Sequence, residues 1–395
     1  MPFVCHYILL FLFFKGEDGI KLSGLCHNSV LFVTFMYDAG LDLSFLHNKL
    51  NLTADGYLRN TRNMLTTSLT LPAVYGADTP ESNCANLVTK GWETILTWND
   101  KFSLRNKPFS YSVSFSIGDY LTKITKYNNP QKLISDYYNG MTLGEIWGYK
   151  VAGLFASDDE AATYQAAIND KAVNNRVYTS KNDNYLRAGD VKFIDLNNDN
   201  IINEGSGTVS DPGDKRIIGN SEPRFPYSFR LGASWNGVDV STFFQGIGKQ
   251  DWYPTQNAYY FWGPYSFPSL SFIDKDFTDN CWSESNTKAY FPRQRGYATY
   301  SSGALAVVND RYLQNVAYLR LKNLTIGYTI PVSKKLFSQL RVYASGENLF
   351  YWSPLKKHCT TVDPELTNTS STYNTGSGVG YSFSKTYSFG VDITF

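Results

Sequence analysis

The chain has 395 residues, 18% of them charged and 16% aromatic, with a formal net charge of +1. A mean hydropathy of −0.30, with one long apolar run at the N-terminal end, excludes a bundle of membrane helices, each needing about 20 apolar residues. The balanced charge leaves no electrostatic basis for binding nucleic acid, and the charged fraction lies below the roughly 25% of ordinary soluble domains. An aromatic-rich, mildly polar chain with few helix signals fits a transmembrane β-barrel, whose strands alternate lipid-facing apolar and lumen-facing polar residues.

Residues 1–36 are left unassigned. Met1–Phe14 (MPFVCHYILLFLFF) resembles the apolar region of an export signal but lacks a basic start and a small-residue cleavage site. It reads either as such a signal or as a start unrelated to the rest of the chain. From Tyr37 the period becomes two. Segments at 37–46 and 50–58 alternate, and 86–99 comes next with Trp92 and Trp98. At 109–119, Tyr111, Val113, Phe115 and Ile117 face one way and a row of serines the other, as suits a wall between lipid and water. Segments 224–235 and 238–248 flank Asn236-Gly237, a dipeptide that serves type I′ hairpin turns because both positions need positive φ. Strands at 312–330, 340–352 and 381–395 complete a set of about nine.

The connections alternate in length. Short ones fall near 47–48, 100–108, 236–237 and 331–339; long ones span about 61–85, 120–223, 249–311 and 353–380. Outer-membrane barrels place tight turns at the periplasmic end and long loops outside. Nine strands would be an odd number and an unclosed sheet, so further strands are expected upstream of residue 37. The final row, Tyr387, Phe389, Val391, Ile393 and Phe395, resembles the sorting signal read by the barrel-assembly machinery; an ordinary terminal strand is the alternative.

Several ordered segments resemble one family. They include GLDLSFLHNKLNLTADGYLRNTRNML (40–65), GEIWGYKVAGLF (144–155), GDVKFIDLNNDNIIN (189–203), RIIGNSEPRFPYSFRLGASWNGVDVSTFFQGIG (216–248), YLRLKNLTIGYTIP (318–331) and RVYASGENLF (341–350). Together with neighbouring pieces they make most of 37–395 similar to the C-terminal part of a SusC/RagA-type TonB-dependent outer-membrane transporter. That resemblance implies about nine strands of a 22-stranded antiparallel barrel in a Gram-negative outer membrane. It implies import of glycans or peptides, with the TonB complex and a SusD-like surface lipoprotein as partners of the intact parent.

One motif suggests a metal. Asp195, Asn197 and Asp199, followed by the Ile201 carbonyl, reproduce the oxygen-ligand spacing of half a calcium loop. Asn200 stands where glycine is preferred and Ser206 where the closing acid would be. Asp214, beyond an apparent insertion, is the candidate final ligand for Ca²⁺. An Asx-rich turn held by its own backbone is the equal alternative. Trp252, Tyr253, Tyr260 and Trp262 are candidates for a substrate-contacting aromatic platform, against loop packing as the alternative. Asp363-Pro-Glu365 matches a family position without an assigned role. The five cysteines (Cys5, Cys26, Cys84, Cys281, Cys359) and four histidines (His6, His27, His47, His358) show no metal spacing. No H-E-x-x-H, G-x-S-x-G or P-loop motif occurs, so no enzyme is expected. An outer-membrane hydrolase and a non-inserting surface carbohydrate-binding β-protein are the rival classes.

Overall fold

The computed structural model describes residues 9–15, 33–67, 81–174, 186–269, 273, 275–296, 298–299, 303–331, 338–367, 378, 380 and 382–395. One antiparallel sheet organises them. Its strands are β1 (Leu9–Lys15), β2 (Val33–Phe45), β3 (Leu50–Thr67), β4 (Glu81–Leu104) and β5 (Lys107–Lys126), then β10 (Arg224–Trp235), β11 (Val238–Lys249), β16 (Tyr318–Ile330), β17 (Gln339–Trp352) and β18 (Thr386–Thr394). They pair in that order, each with its neighbour in the sequence of long strands. Eight short strands lie in the connections: β6 (Glu145–Gly148), β7 (Val151–Leu154), β8 (Val191–Phe193), β9 (Arg216–Asn220), β12 (Asp251–Trp252), β13 (Cys281–Trp282), β14 (Phe291–Arg293) and β15 (Gln314–Asn315).

The sheet differs from the sequence expectation in two ways. It holds ten strands, because Leu9–Lys15 pairs with β2 from Leu9↔Asp42 to Lys15↔Met36. This strand lies inside the segment left unassigned; LLFLFFK shows no alternation, so period two could not reveal it. The parity argument for missing strands therefore falls, although β1 and β18 remain at opposite ends of the sheet order. Several strands also run longer than expected. β3 reaches Thr67, β4 begins at Glu81 and β5 ends at Lys126, so the first long connection shrinks to 68–80, which lies outside the described residues. Likewise the expected turn over 100–108 tightens to Arg105-Asn106, with φ of 52° and 62° at these two positions, the geometry of a type I′ turn. At the sister turn Asn236 and Gly237 have φ of 51° and 86°. A Cβ on Gly237 would lie 2.9 Å from the Thr329 carbonyl, so a larger residue would be strained and crowded there.

Register divides the sheet into two faces. On one, Leu96, Val113, Leu231, Ile326, Val342 and Phe389 are all at least 37% exposed. On the other, hydroxyls bond across strands: Thr89 with Thr122 at 2.8 Å, Ser116 with Ser228 at 2.8 Å, and Ser110 with Ser234 at 2.7 Å. An ion-pair group reinforces the polar face: Arg341 bridges Asp239 (2.7 Å) and Asp392 (2.9 Å). Among the described residues no packed core covers the apolar face. Water cannot be its solvent over so large an area, whereas bilayer hydrocarbon can, and strands of 12 or more residues exceed the 9–11 needed to cross it. Among the described residues no helix is long and apolar enough to span a membrane.

Candidate functional site: the polar face and its external cap

Among the described residues the turns lie at one end of the sheet and the long connections at the other, where those after β5, β11 and β17 pack together. A single buried cluster takes Tyr149, Phe193 and Ile202 from the segment after β5, Trp252, Trp262 and Phe291 from the segment after β11, and Leu355 and Val362 from the segment after β17. Short sheets stitch the first two of these segments, β6 with β9 and β7 with β8 in one and β12 with β15 in the other, and a bridge between Tyr149 and Asn309 joins the two. Helix α1 (Asp158–Ala167) lies on this cap. The Ser157 hydroxyl accepts the Glu160 amide at 3.1 Å while Glu160 accepts the Ala156 amide at 2.7 Å, a variant of the capping box. The loops thus build a core of their own over one end of the sheet.

The expected aromatic platform is brought together, but inward. Trp252 is 2% exposed and Trp262 0%. Trp262 stands edge-on to Phe261 and Tyr312 (centroids 4.9 and 5.3 Å), and its Nε1 donates to the Pro254 and Thr255 carbonyls. Tyr253 donates to the Val307 carbonyl at 2.8 Å, and burial pushes its phenol far up. Tyr260 is half-buried against Tyr259. A ligand cannot stack on tryptophans whose faces neighbouring rings already cover, so these residues are the core of the cap.

The Asp195 half-loop is closed by its own backbone. The Asp195 carboxylate accepts the Asn198 and Asn200 amides at 2.7 and 2.8 Å; Asn197 accepts that of Asp199 and Asp199 that of Ile201. Asn198 and Asn200 sit at φ of 61° and 65°, where Asn is better tolerated than most residues. Asp214 does meet the loop, buried, its two oxygens accepting the Leu196 and Asn203 amides at 2.7 and 2.9 Å. Each oxygen named therefore has a structural use as an Asx turn or loop clamp. Among the described residues no three His, Cys, Asp or Glu side chains converge as a metal site.

The cluster that sequence reasoning passed over surrounds Arg320. This residue is 1% exposed on β16. It holds Asp363 through two bonds of 2.6 and 2.7 Å, pairs with Glu365, and lies between the rings of Tyr351 and Phe383 at 4.8 and 4.9 Å. Lys322 adds a second bond to Glu365 at 2.8 Å. Asp363-Pro-Glu365 is therefore the pin that fastens the last connection to the wall. Its only prior signal was two acids around a proline in a loop.

His358 lies in the same connection, stacked on Tyr290 with centroids 3.5 Å apart. Burial, aided by Lys357 and Arg311, holds its imidazole down at about 4, against 6.5 ordinarily. Between pH 6.5 and 4 the unfolded chain takes up a proton that the folded loop refuses, so the cap loses stability as pH falls through that window. Melting of the cap, followed by tryptophan fluorescence at about pH 7 and about pH 4.5, is expected to show this loss in the wild type and less of it in His358→Gln. Equal losses in both proteins would remove His358 as the cause.

The terminal row is found on β18, with Phe395 directly after it, and its side chains are outward. Tyr387, Phe389, Val391, Ile393 and Phe395 are 68%, 86%, 58%, 46% and 86% exposed, on the apolar face that continues from Val342 through the paired register. Phe389→Arg would put a cation on that face, at a cost of about 2–4 kcal/mol if it lies near the bilayer midplane. A reduced folded fraction, read as loss of heat-modifiable gel migration, is the expected result; an unchanged fraction would show that this face does not meet lipid.

Known proteins resemble this arrangement. No family model matches the chain. The "TonB-dependent receptor P3" of Formosa agariphila is 24% identical over 383 residues, covering 90% of this chain and 33% of the receptor. The "TonB-dependent receptor SusC" of Bacteroides thetaiotaomicron is 24% identical over 340 residues, covering 82% of this chain and 29% of SusC. In fold, the chain superposes on a chain from a structure of the RagAB peptide transporter with a TM-score of 0.61 at 20% identity, across 99% of its own length and 39% of the other. It thus spans about a third of the length of its curated relatives. The ten-stranded sheet is a portion of an antiparallel membrane β-barrel of the kind seen in that transporter.

Proposed function

We propose that this relative of the TonB-dependent receptors forms part of the wall and external cap of an outer-membrane importer of oligosaccharides or peptides in a Gram-negative bacterium. The observation that carries the reading is the two-faced sheet: a lipid-compatible apolar surface backs a polar wall of hydroxyls and ion pairs, with loops packed over one end. A polar pore wall behind an apolar belt can pass hydrated solutes, and a capped outer end can select them. Energy for import would come from the TonB complex. A SusD-like surface lipoprotein would meet the external cap, and the barrel-assembly machinery would read β18.

Similarity to SusC, a TonB-dependent receptor by name, and to a chain of the RagAB peptide transporter supports this reading. Calcium in the Asp195 half-loop remains a subsidiary proposal, supported by Asp214 reaching that loop; calorimetric titration with CaCl₂, compared with Asp199→Ala, decides it. The decisive experiment for the main reading is deletion of the gene, with uptake of labelled oligosaccharide and peptide pools measured in parallel. Loss of uptake of one class, restored by the gene and dependent on TonB, is expected. Unchanged uptake of both classes, with the protein absent from the outer-membrane fraction, would overturn it.

A further inference from the structure

The apolar face of the sheet changes character toward the cap. On β4 it runs from Phe102 at the turn end through Leu96 and Trp92 to Lys90; on β3 it ends in Arg62, and on β5 in Lys123. Register places all three cations on that face. Lys90 pairs with Leu58 and with Leu121, Lys123 pairs with Val88, and Arg62 lies beyond Leu58 on the same side of β3. The three are exposed, and none forms an ion pair among the described residues. Asp119, the carboxylate on this stretch of the face, is already held by Arg224, whose Nε donates to it at 2.6 Å. The Arg62 guanidinium lies over the Phe35 ring at 5.7 Å, which seats it against β2.

The height of the cations fits a bilayer. Between Phe102 and Lys90 the strand rises about 40 Å along its axis, or roughly 30 Å in height at a barrel strand's usual tilt. The hydrocarbon core of a bilayer is about 30 Å thick, so with Phe102 at one boundary the cations stand at the headgroups of the other leaflet. Their distribution is local. At the cap end of β17 the same face ends in exposed Phe350 and Trp352. The charge is therefore a patch on three adjacent strands and not a belt around the wall.

We propose that Arg62, Lys90 and Lys123 bind the phosphate groups of a phosphorylated lipid in the outer leaflet, whose acyl chains lie on the apolar residues nearer the turns. A phosphate gives the arginine a bidentate partner and each ammonium a charge-assisted bond. The apolar face directly below takes hydrocarbon, a contact that a soluble anion would leave unused. The lipid-facing placement rests on the barrel reading.

Native mass spectrometry of the full chain in dodecyl maltoside micelles tests this, with diphosphoryl lipid A and its dephosphorylated form as probes. The wild type is expected to retain the phosphorylated lipid and to lose the dephosphorylated one. A surface Lys or Arg strengthens attachment to anionic lipid by about fivefold, so Arg62→Gln, Lys90→Gln and Lys123→Gln combined should cut retention by about a hundredfold. The charge-keeping set Arg62→Lys, Lys90→Arg and Lys123→Arg should retain the lipid, as should Lys101→Gln on the opposite face. Equal retention of both lipids, unchanged retention in the triple glutamine variant, or an equal loss in Lys101→Gln would overturn the proposal. Displacement of the lipid by an equal concentration of inorganic phosphate would also overturn it, by making the patch a free-anion site. Heat-modifiable migration separates the two readings: a folded barrel that retains neither lipid contradicts the patch alone, whereas a chain without that migration contradicts the barrel and the patch together.

Discussion

Replacing Arg320 with methionine is expected to release the last external connection from the wall. The substitution keeps most of the side chain's length and removes its charge, leaving Asp363 and Glu365 facing each other with only Lys322 to compensate. Breaking a buried ion pair by deleting one partner typically costs about 3–5 kcal/mol, because the remaining charge stays desolvated. Arg320 also loses its contacts with Tyr351 and Phe383. Asp363 additionally accepts the Glu365 amide at 3.0 Å, which caps the short turn Pro364–Leu366, so the turn itself should loosen. Hydrogen exchange should rise across 353–367 with little change in β10 and β11. The double substitution Arg320→Met with Asp363→Leu should recover part of the loss, since no isolated carboxylate is left at that position. Wild-type protection in Arg320→Met would show that the pin does not hold this connection.

A comparable effect is expected from Trp262→Ala, through packing instead of charge. Trp262 is wholly buried between Phe261, Phe291 and Tyr312, and aromatic-to-alanine changes in cores cost about 3–5 kcal/mol through lost transfer energy and the cavity left behind. It would also take away the Nε1 donor to the Pro254 carbonyl, while the Thr255 carbonyl keeps the Ala258 amide at 2.9 Å. Because the cap has its own core, separate from the sheet, the damage should stay local. Limited proteolysis should therefore cut within 255–312 in the variant while heat-modifiable migration persists. Loss of both together would mean that cap and barrel fold as one cooperative unit. An unchanged proteolytic pattern would contradict the burial of Trp262.

The two substitutions separate the readable parts of the chain from the rest. Both faces of the wall could be read, since β-strand side chains alternate strictly and lipid and lumen demand opposite chemistry. Tyr111, Val113 and Phe115 opposite their serines announced it, and Asn236-Gly237 announced a turn. Strand ends were less legible. β4 and β5 extend beyond the periodic core to meet at Arg105-Asn106, because backbone pairing continues wherever a partner strand is in register, whatever the side chains. In the cap, Ser157-Asp-Asp-Glu160 was a helix-start signal that sequence reasoning missed.

Period, turn chemistry and the terminal aromatic row are local properties, and the amino-acid sequence by itself was enough to determine a two-faced membrane sheet with short turns at one end and long connections at the other. Tertiary structure alone decided what the long connections do. It turned Trp252 and Trp262 from a candidate platform into a core, gave Asp363-Pro-Glu365 its partner 43 positions away in Arg320, and added Leu9–Lys15 to the sheet. Burial and long-range pairing depend on which distant segments meet in space, and no periodicity within a loop records that.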